Sequence, residues 1–324
     1  MKTKFFTFFF AIMAISSLWA YDLKYGDLYY NITNDTIPYT VAVTYQYYES
    51  SSNYSGLVDI VIPQEVCYNN RIYSVTSIGS GAFEACGTLK SITIPNSVKI
   101  IRGYAFERCS RLESVNIPNT VTQIGEGAFI RCGVLGSIII PHSVKTIETS
   151  TFSYCSSLTS VVLGDSVQVI KNEAFYNCGK LTSIEIPDTV KKIGNAIFRY
   201  CKSLHSVSLG DSIQEIGDHA FSDCYSLEEM TCKSLIIPKT ERMFYNTDIK
   251  QSKLYVYDCV LEQYKSLYPW NEFGAILPID GQTTSIKDFH LLSTNKCCVQ
   301  KIFKNGTIYI IRDKKMYDIL GNEL

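Results

Sequence analysis

The chain has 324 residues, of which 46% are apolar and 19% are charged, a balance typical of globular proteins. Its formal net charge is -1, which excludes a bulk electrostatic field that would recruit nucleic acid or an anionic membrane. Length alone would predict about two globular domains, but a 23-residue internal period favours one extended array instead.

The first 20 residues have the features of a secretion signal. Lys2 and Lys4 supply a positive start, Phe5 to Ile15 form an apolar run, and cleavage is expected after Ala20. The alternative is an uncleaved signal anchor, but this run is short for a membrane span. We therefore predict a signal peptide at 1–20, an exported protein and no transmembrane segment.

A β-rich N-terminal cap is predicted at 21–56, because this segment is rich in tyrosine and β-branched residues. Leu57, Ile60 and Ile62 then match the strand half of a repeat. Leu57 lies 32 residues before its counterpart Leu89, so the first coil carries a nine-residue insertion (32 − 23 = 9).

The centre of the chain is a repeat in which phenylalanine recurs every 23 residues, with cysteine three and leucine six residues later. The phenylalanines are Phe83, Phe106, Phe129, Phe152, Phe175, Phe198, Phe221 and Phe244. The cysteines are Cys86, Cys109, Cys132, Cys155, Cys178, Cys201 and Cys224. Such consecutive units in one register are typical of a solenoid.

Within one unit, Leu112, Val115 and Ile117 predict a short strand that ends at Pro118, which lacks a backbone donor. Phe106 and its neighbours are expected on one face of a short helical or 3-10 turn. A second return to the core, at Val121 and Ile124, also has helical-turn spacing. A lone coil buries too little apolar surface to offset its ordering entropy, so the coils must stack.

These features predict an α/β repeat solenoid over 57–253, with short parallel strands on the concave face and helical or 3-10 turns on the convex face. A C-terminal cap is expected at 254–280, and a linker and β-hairpin tail at 281–324. The tail contains an Asn305-Gly306 hairpin turn. Its expected strands are Val299–Phe303, Thr307–Ile311 and Met316–Ile319.

Segments such as Ser91 to Val98 and Ile124 to Phe129 closely resemble BspA-type leucine-rich repeats, which occur in surface proteins of Bacteroidota. The resemblance covers 21–280 and implies a leucine-rich-repeat solenoid that acts as an extracellular adhesin or binding protein, with no catalytic residues to carry over. The tail resembles a short version of the C-terminal sorting signal of Bacteroidota. A small β cap on the last coil is the alternative reading of the tail.

The 12 cysteines raise the question of disulfides and metal sites. Seven belong to the repeat, and an odd column cannot pair fully, so buried free thiols are favoured. Zinc is disfavoured because no C-x-x-C or H-x-x-H pair occurs. A Cys201 and His205 dyad is conceivable but explained by the repeat, and the row of Asp165, Asp188 and Asp211 fits turn formation better than calcium binding. We predict no catalytic, cofactor or metal site.

The candidate partner site is the outward row of the concave face. Ile139 and Val162 would form an apolar patch rimmed by Ser137 and Ser160, as contact sites often do. The alternative is that β-branched residues simply suit an exposed strand. Rival surfaces are the convex edge near Tyr154 and Tyr200 and the tyrosine-rich segment at 21–73. The candidate site residues in this row are Thr93, Asn116, Ile139, Val162, Glu185 and Ser208, and the row continues to Thr231.

The expected function is a non-enzymatic binding scaffold at the cell surface, for an extracellular protein or matrix macromolecule. A structural spacer without a specific ligand is the alternative. An enzyme is the weakest hypothesis, because the sequence offers no constellation of catalytic residues.

Overall fold

A computed structural model describes residues 21–45 and 54–279, together with the backbone of three C-terminal strands. The predicted signal peptide, linker and hairpin turn lie outside the described residues.

The chain opens with the strands of the N-terminal segment and of the first coil, of which Asp59–Val61 pairs in parallel with Ser91–Thr93 of the next coil. They are β1 (Leu23–Tyr25), β2 (Leu28–Asn34), β3 (Thr40–Thr44), β4 (Asp59–Val61), β5 (Glu65–Tyr68) and β6 (Arg71–Ile78). β2 pairs antiparallel with both β1 and β3. β6 pairs in parallel with β3 and antiparallel with β5.

Each regular coil contributes a strand of three or four residues and then, in all but the last coil, a strand of two. In chain order these are β7 (Ser91–Thr93), β8 (Ile100–Ile101), β9 (Ser114–Asn116), β10 (Gln123–Ile124), β11 (Ser137–Ile139), β12 (Thr146–Ile147), β13 (Ser160–Val162), β14 (Val169–Ile170), β15 (Ser183–Glu185), β16 (Lys192–Ile193), β17 (Ser206–Leu209), β18 (Glu215–Ile216) and β19 (Glu229–Cys232).

The coils stack as the period predicts. Longer strands pair in parallel with longer strands in three sheets, β4-β7-β9, β11-β13 and one that begins β15-β17-β19, for example Ile138 with Val161. Short strands pair in parallel with short strands, for example Ile147 with Ile170. Both pairings join residues 23 apart, so equivalent positions of neighbouring coils lie side by side, about 4.8 Å apart. β6 pairs in parallel with β8, which attaches the N-terminal strands to this array.

The convex segments differ from expectation, because they are consecutive β-turns and not helical turns. Glu107 N donates to Tyr104 O over 3.0 Å. The N–H groups of Tyr104, Phe106 and Arg108 instead point at carbonyls of the next coil, 2.8–2.9 Å away. Tyr104 and Arg108 are left-handed, with φ of 58° and 56°, which a helix does not permit. Backbone pairing between coils has replaced pairing within a helix.

The second half of the coil also differs from expectation. Val121 closes a turn by donating to Pro118 O, and the chain then enters β10. The helical-turn spacing of the apolar residues therefore comes from a turn followed by a strand. Both Val121 and Ile124 are buried, so the core positions were predicted correctly even though the backbone was not.

An aromatic column runs through the core beside the turns. Tyr54 contacts Phe83 at a centroid distance of 5.0 Å with the ring planes tilted by 35°, and Phe244 meets Phe273 edge-on at 5.3 Å. Between Phe83 and Phe244 the successive rings lie 5.0–6.0 Å apart in stacked orientation. Stacked aromatic rings attract one another at such distances. Each phenylalanine thus contacts both neighbouring coils.

The C-terminal segment continues the sheet of β15, β17 and β19. β20 (Lys253–Val256) and β21 (Ala275–Pro278) add in parallel after β19. Between them lies α1 (Leu261–Ser266), and 3-10 helices span Ile249–Gln251, Asp258–Val260 and Trp270–Glu272.

The tail forms the three strands that were predicted, paired antiparallel in order. They are β22 (Gln300–Lys304), β23 (Thr307–Arg312) and β24 (Lys315–Tyr317).

The column gives a direct stability test at Phe152, which is fully buried between Phe129 and Phe175 at 5.4 and 5.5 Å. Phe152→Ala should lower the free energy of unfolding by about 3–5 kcal/mol, because it opens a cavity between two coils. Chemical denaturation measures this. The exposed Val162→Ala serves as control and should change stability by less than about 0.5 kcal/mol. Equal stability of both variants would contradict the stacked column.

Candidate binding surfaces

The longer strands present two rows of side chains outward, which we call the strand face. In β11 the middle residue Ile138 is buried while Ser137 and Ile139 are exposed, as expected for period-2 alternation. The same pattern holds in β13 and β15. The first row is serine in most coils: Ser91, Ser114, Ser137, Ser160, Ser183 and Ser206.

The predicted site residues all lie in the second row of the strand face. Most are exposed, and Ser208 is half-buried. Strand pairing brings Thr93 beside Asn116, Ile139 beside Val162, and Glu185 beside Ser208.

The apolar patch is formed by two β-branched side chains on adjacent coils. Ile139 is 66% exposed and Val162 is 53% exposed. Ser137 and Ser160 flank them on the same strands and are also exposed. The patch is therefore a small apolar area with a hydroxyl rim.

The row is longer than the sequence analysis predicted. Val61 pairs with Thr93 and is 71% exposed, so it is the first member of the row. The insertion in the first coil hid it, although subtracting 32 instead of 23 from position 93 would have found it. At the other end Tyr255 pairs with Thr231 and extends the row into the C-terminal segment.

Charged side chains occupy the C-terminal part of the strand face. Glu185 lies 3.5 Å from Lys233, and Glu229 lies 3.8 Å from Lys253. These exposed pairs are compensated and are worth little to stability. The central patch of Ile139 and Val162 lies between the polar row residues Asn116 and Glu185.

The tyrosine-rich segment, one of the two rival surfaces, is partly buried. In the tyrosine-rich segment, Tyr29, Tyr30, Tyr54 and Tyr73 belong to the core. Packing therefore explains much of that tyrosine content.

The repeat cysteines donate hydrogen bonds to backbone carbonyls. Cys155 Sγ donates to Phe129 O of the preceding coil over 3.2 Å, and the equivalent bond recurs at 3.1–3.3 Å along the column. Thr247 occupies the next equivalent position, and its hydroxyl donates to Phe221 O over 2.7 Å. All seven thiols are free and buried, which agrees with the prediction.

The residues of the other candidate sites, the Cys201 and His205 dyad and the aspartate row, have structural contacts instead. Cys201 is buried and donates to Phe175 O, while the exposed His205 ring contacts Ser203 O. Asp188 accepts from the backbone of Asp211, as a turn residue does. In the parts of the chain that the structure describes, no three His, Cys, Asp or Glu side chains group as metal ligands.

Comparison with known proteins agrees with the repeat geometry. A family model described as a BspA type leucine-rich repeat region, six copies long, matches residues 52–159, 76–205 and 145–259. The chain belongs to the BspA-type leucine-rich repeat family. No curated protein matches it.

Solved structures of bacterial leucine-rich repeat proteins are similar to this BspA-type chain. One from Bacteroides ovatus is 27% identical with a TM-score of 0.51, over 80% of this chain and 77% of that one. A leucine-rich cell surface protein from Faecalibacterium prausnitzii is 21% identical with a TM-score of 0.46, over 83% and 98%. Over the described residues, no helix of the BspA-type chain is both long and apolar enough to cross a membrane.

The thiol column predicts low reactivity in the native state. Burial raises the pKa of Cys86 from its ordinary 9.0 to about 11, and those of Cys155 and Cys201 to about 12. Native protein at neutral pH should therefore leave the column unmodified by an aromatic disulfide reagent. Denatured, unreduced protein should expose at least these seven groups. Almost no reaction after denaturation would mean that the column is oxidised.

The same pKa shifts predict a loss of stability at alkaline pH. A folded-state pKa above the unfolded value means that the fold favours the neutral thiol. The thiol contribution is complete below pH 9 and is lost as pH rises toward 11 to 12. Unfolding midpoints measured from pH 7 to 11 should fall above pH 9, and replacing Cys155 with Ala should reduce that fall. A fall of the same size in the variant would contradict this assignment.

Proposed function

We propose that this protein is an exported, non-enzymatic binding scaffold at the cell surface, and that its strand face contacts an extracellular protein or matrix macromolecule. The observation that carries the proposal is the apolar patch of Ile139 and Val162, two exposed side chains on adjacent coils with a polar residue next to them in the row on either side. Exposed apolar clusters with polar rims are typical of contact sites. The signal-like sequence at 1–20 supports export, and the family supports a repeat scaffold.

Strand preference alone does not account for the patch. Thr93 and Thr231 occupy the same row and have the same β-branched shape, with a hydroxyl in place of a methyl group. The row therefore accepts threonine, which would favour the strand without exposing apolar surface to water. Isoleucine and valine cost solubility at this position, and burial under a partner offsets that cost.

The double variant Ile139→Glu and Val162→Glu tests the site. It should remain folded, because both side chains point to solvent. It should lose binding to a matrix protein that the wild type captures saturably, since a partner would have to desolvate two carboxylates. Binding is measured on an array of immobilised matrix proteins.

A matched control places the same two charges outside the strand face. Ile72→Glu with Ile236→Glu changes two apolar side chains that are each 62% exposed, and it should leave affinity unchanged. An unchanged affinity of the patch variant, with an unchanged melting curve, would exclude the patch. Absence of saturable binding by the wild type would favour the spacer alternative.

Export through the tail has its own test. The three tail strands pair only with each other among the described residues, which supports a unit separate from the solenoid. Deleting Lys296 to Leu324 should leave the circular dichroism spectrum of the solenoid intact and prevent surface display in cell fractionation. Loss of folding would make the tail a structural cap, and normal display would exclude a sorting role.

A further inference from the structure

Three tyrosines on successive coils form a strip on the turn side, which we call the tyrosine ridge: Tyr154, Tyr176 and Tyr200. Their ring centroids lie 5.4 and 5.5 Å apart, with planes tilted by 53° and 85°. Tyr154 is exposed, and the other two are half-buried. The rings therefore form a continuous aromatic surface outside the core.

The backbone conformation under the ridge is energetically unfavourable for tyrosine. Tyr154 and Tyr200 are left-handed, with φ of 61° and 64°. The equivalent residues Ala85, Arg108 and Arg131 before them and Asn177, Asp223 and Asn246 among and after them adopt the same conformation, and asparagine and aspartate tolerate it best. Asparagine would therefore serve the fold at a lower cost. Bulky residues held in this region concentrate where ligands are clamped.

The ridge is held in place by neighbouring charges. The Arg131 guanidinium lies 5.5 Å from the Tyr154 ring centroid, and that of Arg199 lies 4.8 Å from the Tyr200 ring. Arg199 Nη2 donates to Tyr200 Oη over 3.1 Å, and its Nε donates to Asp223 Oδ2 over 3.0 Å. A partner would therefore lose little side-chain entropy on binding.

An amide donor lies within the ridge. Asn177 is on the coil between Tyr154 and Tyr200, at the equivalent position. Its half-buried side chain makes no hydrogen bond within the described residues, whereas the amide of Asn246 donates to Asp223. The Asn177 amide can therefore donate to a bound molecule that spans the two rings.

We propose that the tyrosine ridge binds a proline-rich segment in the polyproline II conformation, lying along the solenoid axis. Tyr154 and Tyr200 are two coils apart, so they repeat at about 9.6 Å. A polyproline II helix has three residues per turn and rises about 3.1 Å per residue, which gives about 9.3 Å per turn. Successive turns would therefore meet equivalent rings.

The chemistry of the two surfaces is complementary. Polyproline II has no internal hydrogen bonds, so its carbonyls need outside donors, and its proline rings pack on aromatic side chains. The Asn177 amide would donate to a carbonyl, and Tyr154, Tyr176 and Tyr200 would supply the ring contacts. This site is independent of the strand-face patch.

The test titrates the full exported chain into fluorescently labelled deca-proline and follows anisotropy. Binding should be saturable, and an equally long Gly-Ser peptide should not bind. The double variant Tyr154→Asn and Tyr200→Asn should weaken affinity by at least about tenfold, because it removes both ring contacts. Its fold should persist, since Asn177 already occupies this conformation. Absence of saturable deca-proline binding, or unchanged affinity of the variant, overturns the proposal.

Matched variants locate the effect. Tyr104→Asn changes another left-handed tyrosine with the same 39% exposure as Tyr154 but outside the ridge, and should leave affinity unchanged. Ile139→Glu with Val162→Glu should also leave deca-proline binding unchanged, so failure of one site is distinguishable from failure of the other. A soluble cello-oligosaccharide that binds the ridge while deca-proline does not would assign it to carbohydrate and overturn the proposal.

Discussion

The stacking of one coil on the next is the interaction on which the rest of the structure depends. A single coil has an unprotected core on both sides and cannot offset the entropy of ordering its backbone. The aromatic column solves this, because each ring such as Phe152 is covered by a ring of the coil before and a ring of the coil after. Tyr54 and Phe273 extend the cover to both ends, so no phenylalanine face of the repeat is left open.

The cysteine column follows from the same stacking. Stacking brings a buried side chain of one coil beside the phenylalanine carbonyl of the coil before it, where a small side chain with a donor is needed. Cysteine meets both needs as a compact apolar group with a weak S–H donor. Thr247 makes the equivalent bond with a hydroxyl, which indicates that hydrogen bonding to the carbonyl is the requirement and that sulfur chemistry is not.

The two candidate surfaces differ in how the fold constrains them. On the strand face any β-tolerant side chain is accepted, so only their apolar exposure distinguishes Ile139 and Val162. On the turn side the left-handed backbone penalises bulky residues, so Tyr154 and Tyr200 are costly whether or not they are exposed. The repeat brings both pairs into order, because one spacing governs every column of the solenoid.

The sequence by itself determined the repeat, the core positions and the outward row, because a 23-residue register with period-2 strands decides which side chains face in. It did not determine the turn conformation: Phe106 N is paired by a carbonyl 22 residues later, and spacing cannot reveal such a bond. Nor could it place Arg199 on Tyr200 and Asp223. Those contacts depend on side-chain directions across coils, which exist only once the coils are stacked.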